Sequence, residues 1–291
     1  MDKNIILVVD SASALPLEFI QQENVVWAPI VCHFKGKDIE DDFGKTLNIK
    51  EFYEGLRSGE MPTTSQINVF RFEELFRPLV EENKSIIYIG LSSGLTGTID
   101  NARRAVLNLK EEYESCDITI IDSLCASLGL GLLCYLTYEK IREGKSKDEV
   151  IAFAEETKLK VNLYFTVDDL NHLKRGGRVS ATAAAVGTLL SVKPILHMNN
   201  EGKLIPLTKV RGRKKAIAAL AEKFIERSDK NEMQTITIVH GDCLEDALAL
   251  EKLCRENGNV KECIINFEGP TVASHTGAGL VGLYFVGKER E

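Results

Sequence analysis

The sequence contains no window of roughly 20 uninterrupted apolar residues, the length a membrane-spanning helix requires. Its longest small-apolar run, Val179 to Leu190, is interrupted by Ser180, Thr182 and Thr188, so a soluble protein is expected. The N-terminal run Ile5-Ile6-Leu7-Val8-Val9 meets Asp10 too soon for a secretory leader and reads as a first buried strand. The cysteines are an odd set of seven, with no Cys-x-x-Cys pair and no histidine at finger spacing. Reduced, mostly buried thiols in a cytoplasmic protein are expected, and no metal site. Basic charge is not in excess: 36 Lys and Arg stand against 43 Asp and Glu, a net charge of −7, which argues against a nucleic-acid binder. Gly-x-x-x-x-Gly-Lys-Ser/Thr and a strand-borne Gly-x-Gly-x-x-Gly are both missing, which disfavours phosphate-loop and dinucleotide readings. Internal repeats and low-complexity linkers are absent too.

What is present is a 44% hydrophobic chain of 291 residues, enough apolar surface for one large domain or two small ones. Up to about residue 158, short continuous apolar runs alternate with helical patterns. Ile5–Val9, Val25–Val31, Ser85–Ile89 and Ile118–Ile121 read as buried parallel strands. Helices are expected at Leu15–Glu23, Ile49–Arg57, Phe70–Glu82, Thr96–Glu114 and Cys125–Glu143, and Ser146 with Glu149 forms a capping box. This half predicts an α/β domain with a doubly wound parallel sheet. The texture then changes. Val161–Val167, Lys193–His197 and Lys203–Val210 read as strands, the last two joined by the hairpin turn Met198-Asn199-Asn200-Glu201-Gly202. Strands at Thr235–Val239, Val260–Phe267 and Leu280–Val286, with helices at Arg213–Glu226 and Leu244–Glu256, complete an α+β second half. The expected division is 1–158 and 159–291, with a ligand cleft between the two.

Hydroxyl-bearing segments follow the strands. They are Asp10-Ser11, Pro62-Thr63-Thr64-Ser65-Gln66, Ser92-Ser93-Gly94-Leu95-Thr96-Gly97-Thr98 and Asp122-Ser123. In an open α/β sheet the loops at the carboxyl ends of strands meet in one crevice, and Ser92-Ser93-Gly94 opens a helix whose N-terminus favours an anion. The same Gly90-x-Ser92-x-Gly94 also fits the nucleophile elbow of an α/β-hydrolase, with Asp242 or Asp246 and then His275 completing an esterase or lipase triad. In the second half, Lys174-Arg175-Gly176-Gly177-Arg178 and Lys209-Val210-Arg211-Gly212-Arg213 set arginines beside glycines, which allow close backbone approach and single out Arg178 and Arg211. His275 lies in what reads as a glycine-rich loop, Gly269 to Gly279, suited to anion contact or proton handling.

Taken in order, these segments resemble the DegV family. To the four hydroxyl segments are added Leu173 through Ser180, Lys193-Pro194-Ile195-Leu196, Lys209-Val210-Arg211 and His275-Thr276-Gly277, spanning nearly the whole chain. The resemblance implies a bacterial fatty-acid-binding protein of two α/β-type domains with a lipid tunnel between them. It implies no cofactor and no ATP site in this chain, which instead presents the bound long-chain fatty acid to a separate ATP-dependent fatty acid kinase subunit for acyl-phosphate formation. Residue by residue, it implies that Thr63 and Ser93 bind the carboxylate, with Ser65 and Ser92 beside them, and that Arg211 and His275 support phosphoryl transfer. Arg178 is added from its own setting. Two segments depart from the family's common pattern: Ile67-Asn68 follows Thr-Ser-Gln, and Ala273-Ser274 precedes the histidine.

Overall fold

The computed structural model describes residues 4–180 and 192–290; the Val179–Leu190 run beyond Ser180 lies outside them. The first half contributes β1 (Ile5–Asp10), β2 (Val25–Ala28), β3 (Val31–Phe34), β4 (Lys37–Glu40), β5 (Thr63–Ser65), β6 (Ser85–Gly90) and β7 (Ile118–Asp122). β2-β1-β6-β7 form a parallel four-stranded sheet. β1 is buried at every position because both faces are covered, which is why it is continuously apolar rather than alternating. Phe72, Phe76, Ala102 and Leu109, from the Val69–Glu81 and Thr98–Glu112 helices, pack on one face. Leu130, Leu132 and Leu133 of the Ser127–Arg142 helix belong to the core on the other.

The second half contributes β8 (Val161–Thr166), β9 (Val192–Met198), β10 (Leu204–Arg211), β11 (Gln234–His240), β12 (Val260–Phe267) and β13 (Val281–Val286). They form a mixed sheet in the order β10-β9-β8-β13-β11-β12. The Ser127–Arg142 helix touches β1 and β6 of the first sheet and β8, β11 and β13 of the second. The apolar character of its first turns, Ser127 to Cys134, follows from that position: a helix segment between two sheets has little surface left to solvate. No helix among the described residues is long and apolar enough to cross a membrane.

Three expectations need correction. The run Val25–Val31 is not one strand, because Pro29, which has no N–H to give a ladder, separates β2 from β3. β3 instead centres a small antiparallel sheet, β4-β3-β5, so Thr63-Thr64-Ser65 is a strand and not a loop. The segment around His275 is a helix, Pro270–Thr276, started by proline at its first position.

Candidate functional site

A cavity of about 540 Å³ lies where the two halves meet. Aliphatic wall comes from both: Ile30, Leu91 and Leu95 from the first, Leu173 and Leu204 from the second. Its polar lining consists mainly of Thr64, Gln66, Thr96, Thr98, Arg178 and His275.

His275 is held by the small sheet. The start of its helix is tied down by Asp41, whose Oδ2 accepts from the Thr271 N–H at 3.2 Å and the Thr271 hydroxyl at 2.6 Å. Ser274 donates to the Pro270 carbonyl at 2.6 Å and lies 3.4 Å from Cys32 Sγ. Across the sheet Cys32 is registered with Thr64, so both address the same helix, and Thr64 Oγ1 lies 2.9 Å from His275 Nε2. The side-chain period of two along β5 therefore sends Thr63 and Ser65 to the opposite face. Thr63 is exposed and does not line the cavity; the inward hydroxyl is Thr64. Ser65 borders the cavity while its hydroxyl meets His33 Nε2 at 2.6 Å.

The Ser92–Thr98 segment likewise lines the cavity through other residues than those singled out. Ser92 is buried, donates to the Gly202 carbonyl at 2.8 Å and accepts from the Gly94 N–H at 3.1 Å, so it clasps the β9–β10 turn. Ser93 is exposed, with its N–H on Asp122 Oδ1 at 3.2 Å. Neither lines the cavity; Thr96 and Thr98, whose hydroxyl oxygens are 2.9 Å apart, do. Asp10, Ser11 and Ser123 build the loops rather than the lining. Asp10 accepts from the Leu91 N–H at 2.7 Å and from the Tyr88 hydroxyl at 3.1 Å, and burial raises its pKa to about 6. Ser11 accepts from the Ile30 N–H at 3.0 Å, and Ser123 donates to the Gly90 carbonyl at 2.6 Å.

The two arginines separate. Arg178 is half-buried on the cavity, donates to the Gly176 carbonyl, and is held below its ordinary pKa by burial. The loop before it runs so close to the histidine that a Cβ on Gly176 would sit 2.4 Å from His275 Nδ1. Arg211 is exposed at the end of β10 and does not line the cavity. Burial, with Arg178 nearby, lowers the His275 pKa to about 4, so the imidazole is neutral at physiological pH.

The hydrolase constellation is not assembled. His275 Nε2 is engaged with Thr64 and Ser92 with Gly202, while Asp242 pairs with Arg57 and Asp246 with Arg213 Nε at 2.8 Å. The departures at Asn68 and Ser274 have local duties: Asn68 caps the Val69–Glu81 helix through the Arg71 N–H at 2.9 Å, and Ser274 bonds back to the carbonyl four residues earlier in its own helix. Thr64, Thr96, Thr98 and Gln66 are the lining residues that motif reading passed over. The strand parity of Thr63-Thr64-Ser65 was the signal that could have found Thr64.

A family model described as an uncharacterised protein of the DegV family matches residues 4–288. The chain belongs to the DegV family. A DegV domain-containing protein of Clostridium perfringens is 41% identical over 289 residues, covering 99% of both chains. Among solved structures, DegV of Bacillus subtilis, a fatty acid binding protein, aligns with a TM-score of 0.84 at 33% identity, covering 98% of this chain and 99% of that one. The fatty acid kinase (Fak) B3 protein of Streptococcus pneumoniae, solved with linoleic acid, shares the fold at a TM-score of 0.85 and 20% identity, covering 97% and 99%. The parallel four-stranded sheet beside a separate mixed sheet is the DegV two-domain architecture.

Proposed function

We propose that the cavity holds a long-chain fatty acid whose carboxylate is met by Thr64 and Thr96, and that the protein presents this carboxylate to a separate ATP-dependent kinase subunit for conversion to an acyl phosphate. The observation that carries the reading is the composition of the cavity: aliphatic walls from both halves together with threonine hydroxyls and a neutral imidazole. A sixteen-carbon chain leaving water gains on the order of 12 kcal/mol at about 0.8 kcal/mol per methylene. The desolvated carboxylate offsets several kcal/mol of that gain unless donors replace its water. A neutral His275 carrying its proton on Nε2 donates to Thr64 Oγ1, which leaves the Thr64 hydroxyl proton for the ligand. The roles expected of Thr63 and Ser93 thus pass to Thr64 and Thr96. Neutral donors also leave the carboxylate more nucleophilic toward ATP than an arginine clamp does.

Phosphorylation adds negative charge, and in this reading Arg178, beside His275, stabilises it. Arg211, exposed on the second half, is assigned to the kinase encounter rather than to the bound acid. The division between the two ligand-holding halves is placed after residue 158, one residue beyond the Lys147–Thr157 helix. Fatty-acid binding by DegV of Bacillus subtilis supports the ligand. The kinase link rests on the family resemblance and on the fold shared with the Fak B3 protein.

Organic extraction of the purified protein, followed by mass spectrometry, is expected to return about one fatty acid per chain. With a DegV-linked kinase subunit and ATP, acyl phosphate is expected from the wild type, and none from Arg178→Ala or His275→Ala that still carries lipid. An empty extract, and no uptake of added fatty acid, overturns the reading.

A further inference from the structure

A serine, a histidine and an aspartate in relay order are absent at Ser92 and His275 but present on the small sheet. In the β3–β4 register His33 lies directly opposite Asp38, and in the β3–β5 register Ser65 lies opposite Val31, two residues along from His33 and therefore on the same face. The side chains complete the line: Asp38 Oδ1 to His33 Nδ1 is 2.5 Å, and His33 Nε2 to Ser65 Oγ is 2.6 Å. Both fall within the reach required between a nucleophile, its base and the group that orients the base. A carboxylate on Nδ1 selects the tautomer with its proton there, leaving the Nε2 lone pair to take the proton of Ser65. The His33 side chain is 37% exposed, so the line opens to solvent, and the Ser65 residue stands at the border of the cavity. Carboxylate binding uses none of the three, since Thr64 faces the other way.

We propose that Ser65 is an activated nucleophile, with His33 as its general base and Asp38 as the orienting group, that removes acyl groups from activated long-chain carboxyl derivatives whose chain lies in the cavity and whose head group projects past its Ser65 border. Ser65 Oγ forms a bond to the acyl carbon and its proton passes to His33 Nε2. The carbon–oxygen bond to the leaving group breaks, and that oxygen leaves with the proton or, if already a stable anion such as phosphate, without it, His33 then releasing the proton to solvent. Water then attacks the acyl-serine, His33 takes a proton from it, and Ser65 regains its hydroxyl as the free acid departs. The acyl specificity rests on the fatty-acid reading of the cavity; the nucleophile does not. General-base assistance contributes about 10²- to 10⁴-fold, so slow turnover, suited to clearing stranded activated acids, is expected.

The test is fluorophosphonate labelling of the full-length protein after lipid removal on a hydrophobic resin, with an ethyl and a hexadecyl probe and peptide mapping by mass spectrometry. An adduct on Ser65 is expected, absent in Ser65→Ala and formed at least tenfold more slowly in His33→Ala and Asp38→Asn, with the hexadecyl probe the faster. As a second readout, the thiol of Ser65→Cys is expected to react faster with iodoacetamide than the same thiol with His33→Ala. No adduct on Ser65, or one whose rate ignores His33, overturns the nucleophile. Equal rates for the two probes in a protein that does bind fatty acid overturn the acyl specificity. An adduct on Ser65 in a protein that binds no fatty acid sustains the nucleophile and overturns the cavity reading instead.

Discussion

His275 and Thr64 act as a pair, and the histidine's protonation state follows from where the pair sits. In the proposed placement of the head group, Thr64→Ala removes a donor to a buried carboxylate, worth about 1.5–3 kcal/mol, so fatty-acid affinity measured by displacement of a fluorescent analogue is expected to fall roughly 10- to 100-fold. Ser93→Ala, on an exposed hydroxyl outside the lining, is expected to leave it unchanged. His275 is lowered to about 4 when folded, against an ordinary value of 6.5. As pH falls from about 6.5 to 4 the unfolded chain takes up this proton first, so stability is lost on acidification. Glu268 works in the opposite direction. Burial, with Asp41 adding to it, raises this carboxyl to about 8, where it accepts from the Ser127 hydroxyl. Between about pH 4.5 and 8 the folded protein keeps a proton that the unfolded chain has released, so stability falls as pH rises through that window. Thermal melts of Glu268→Gln are expected to lose the alkaline-side decline, and those of His275→Gln to lose part of the acid-side one. Sequence reading found the hydroxyl-rich segments but singled out Thr63 and Ser93, whereas Thr64 and Thr96 line the cavity. Neighbouring threonines look alike until the strand's facing is known.

At the scale of elements, the β9–β10 turn is the part that joins the halves over the cavity. Gly202 has φ +69°, and a Cβ there would meet Ser92 Oγ at 2.0 Å; a Cβ on Gly94 would meet the Gly202 carbonyl oxygen at 2.6 Å. Gly202→Ala combines a left-handed backbone with a clash at the clasp and is expected to cost on the order of 1–3 kcal/mol, read as a lower Tm together with faster fatty-acid release. The long helices followed from their caps and apolar period: Ile49–Arg57 is as expected, and the Val69–Glu81 and Thr98–Glu112 helices shift by one or two residues. β4 and β5 escaped because Lys37-Asp-Ile-Glu and Thr63-Thr-Ser are short and mostly polar, with a register set by β3 rather than by any pattern of their own. The His275 helix escaped because its flanking glycines read as a loop.

For the whole molecule, the proposed fatty acid, in a cavity shared by two halves, would be part of the interior. A ligand at a hundred times its dissociation constant adds about 2.7 kcal/mol to stability, so the delipidated protein is expected to melt several degrees lower and to recover on adding fatty acid. A Tm indifferent to lipid removal would count against an acyl chain in the cavity. The sequence alone determined the α/β class and the family. Those follow from continuous apolar runs, caps and motif order, which are properties of neighbouring residues. Only the tertiary structure decided that Thr64 meets His275 across 211 residues, that Ser92 is a clasp, and that Asp38, His33 and Ser65 share a face. Each depends on strand register and on the approach of distant segments, which no local pattern encodes.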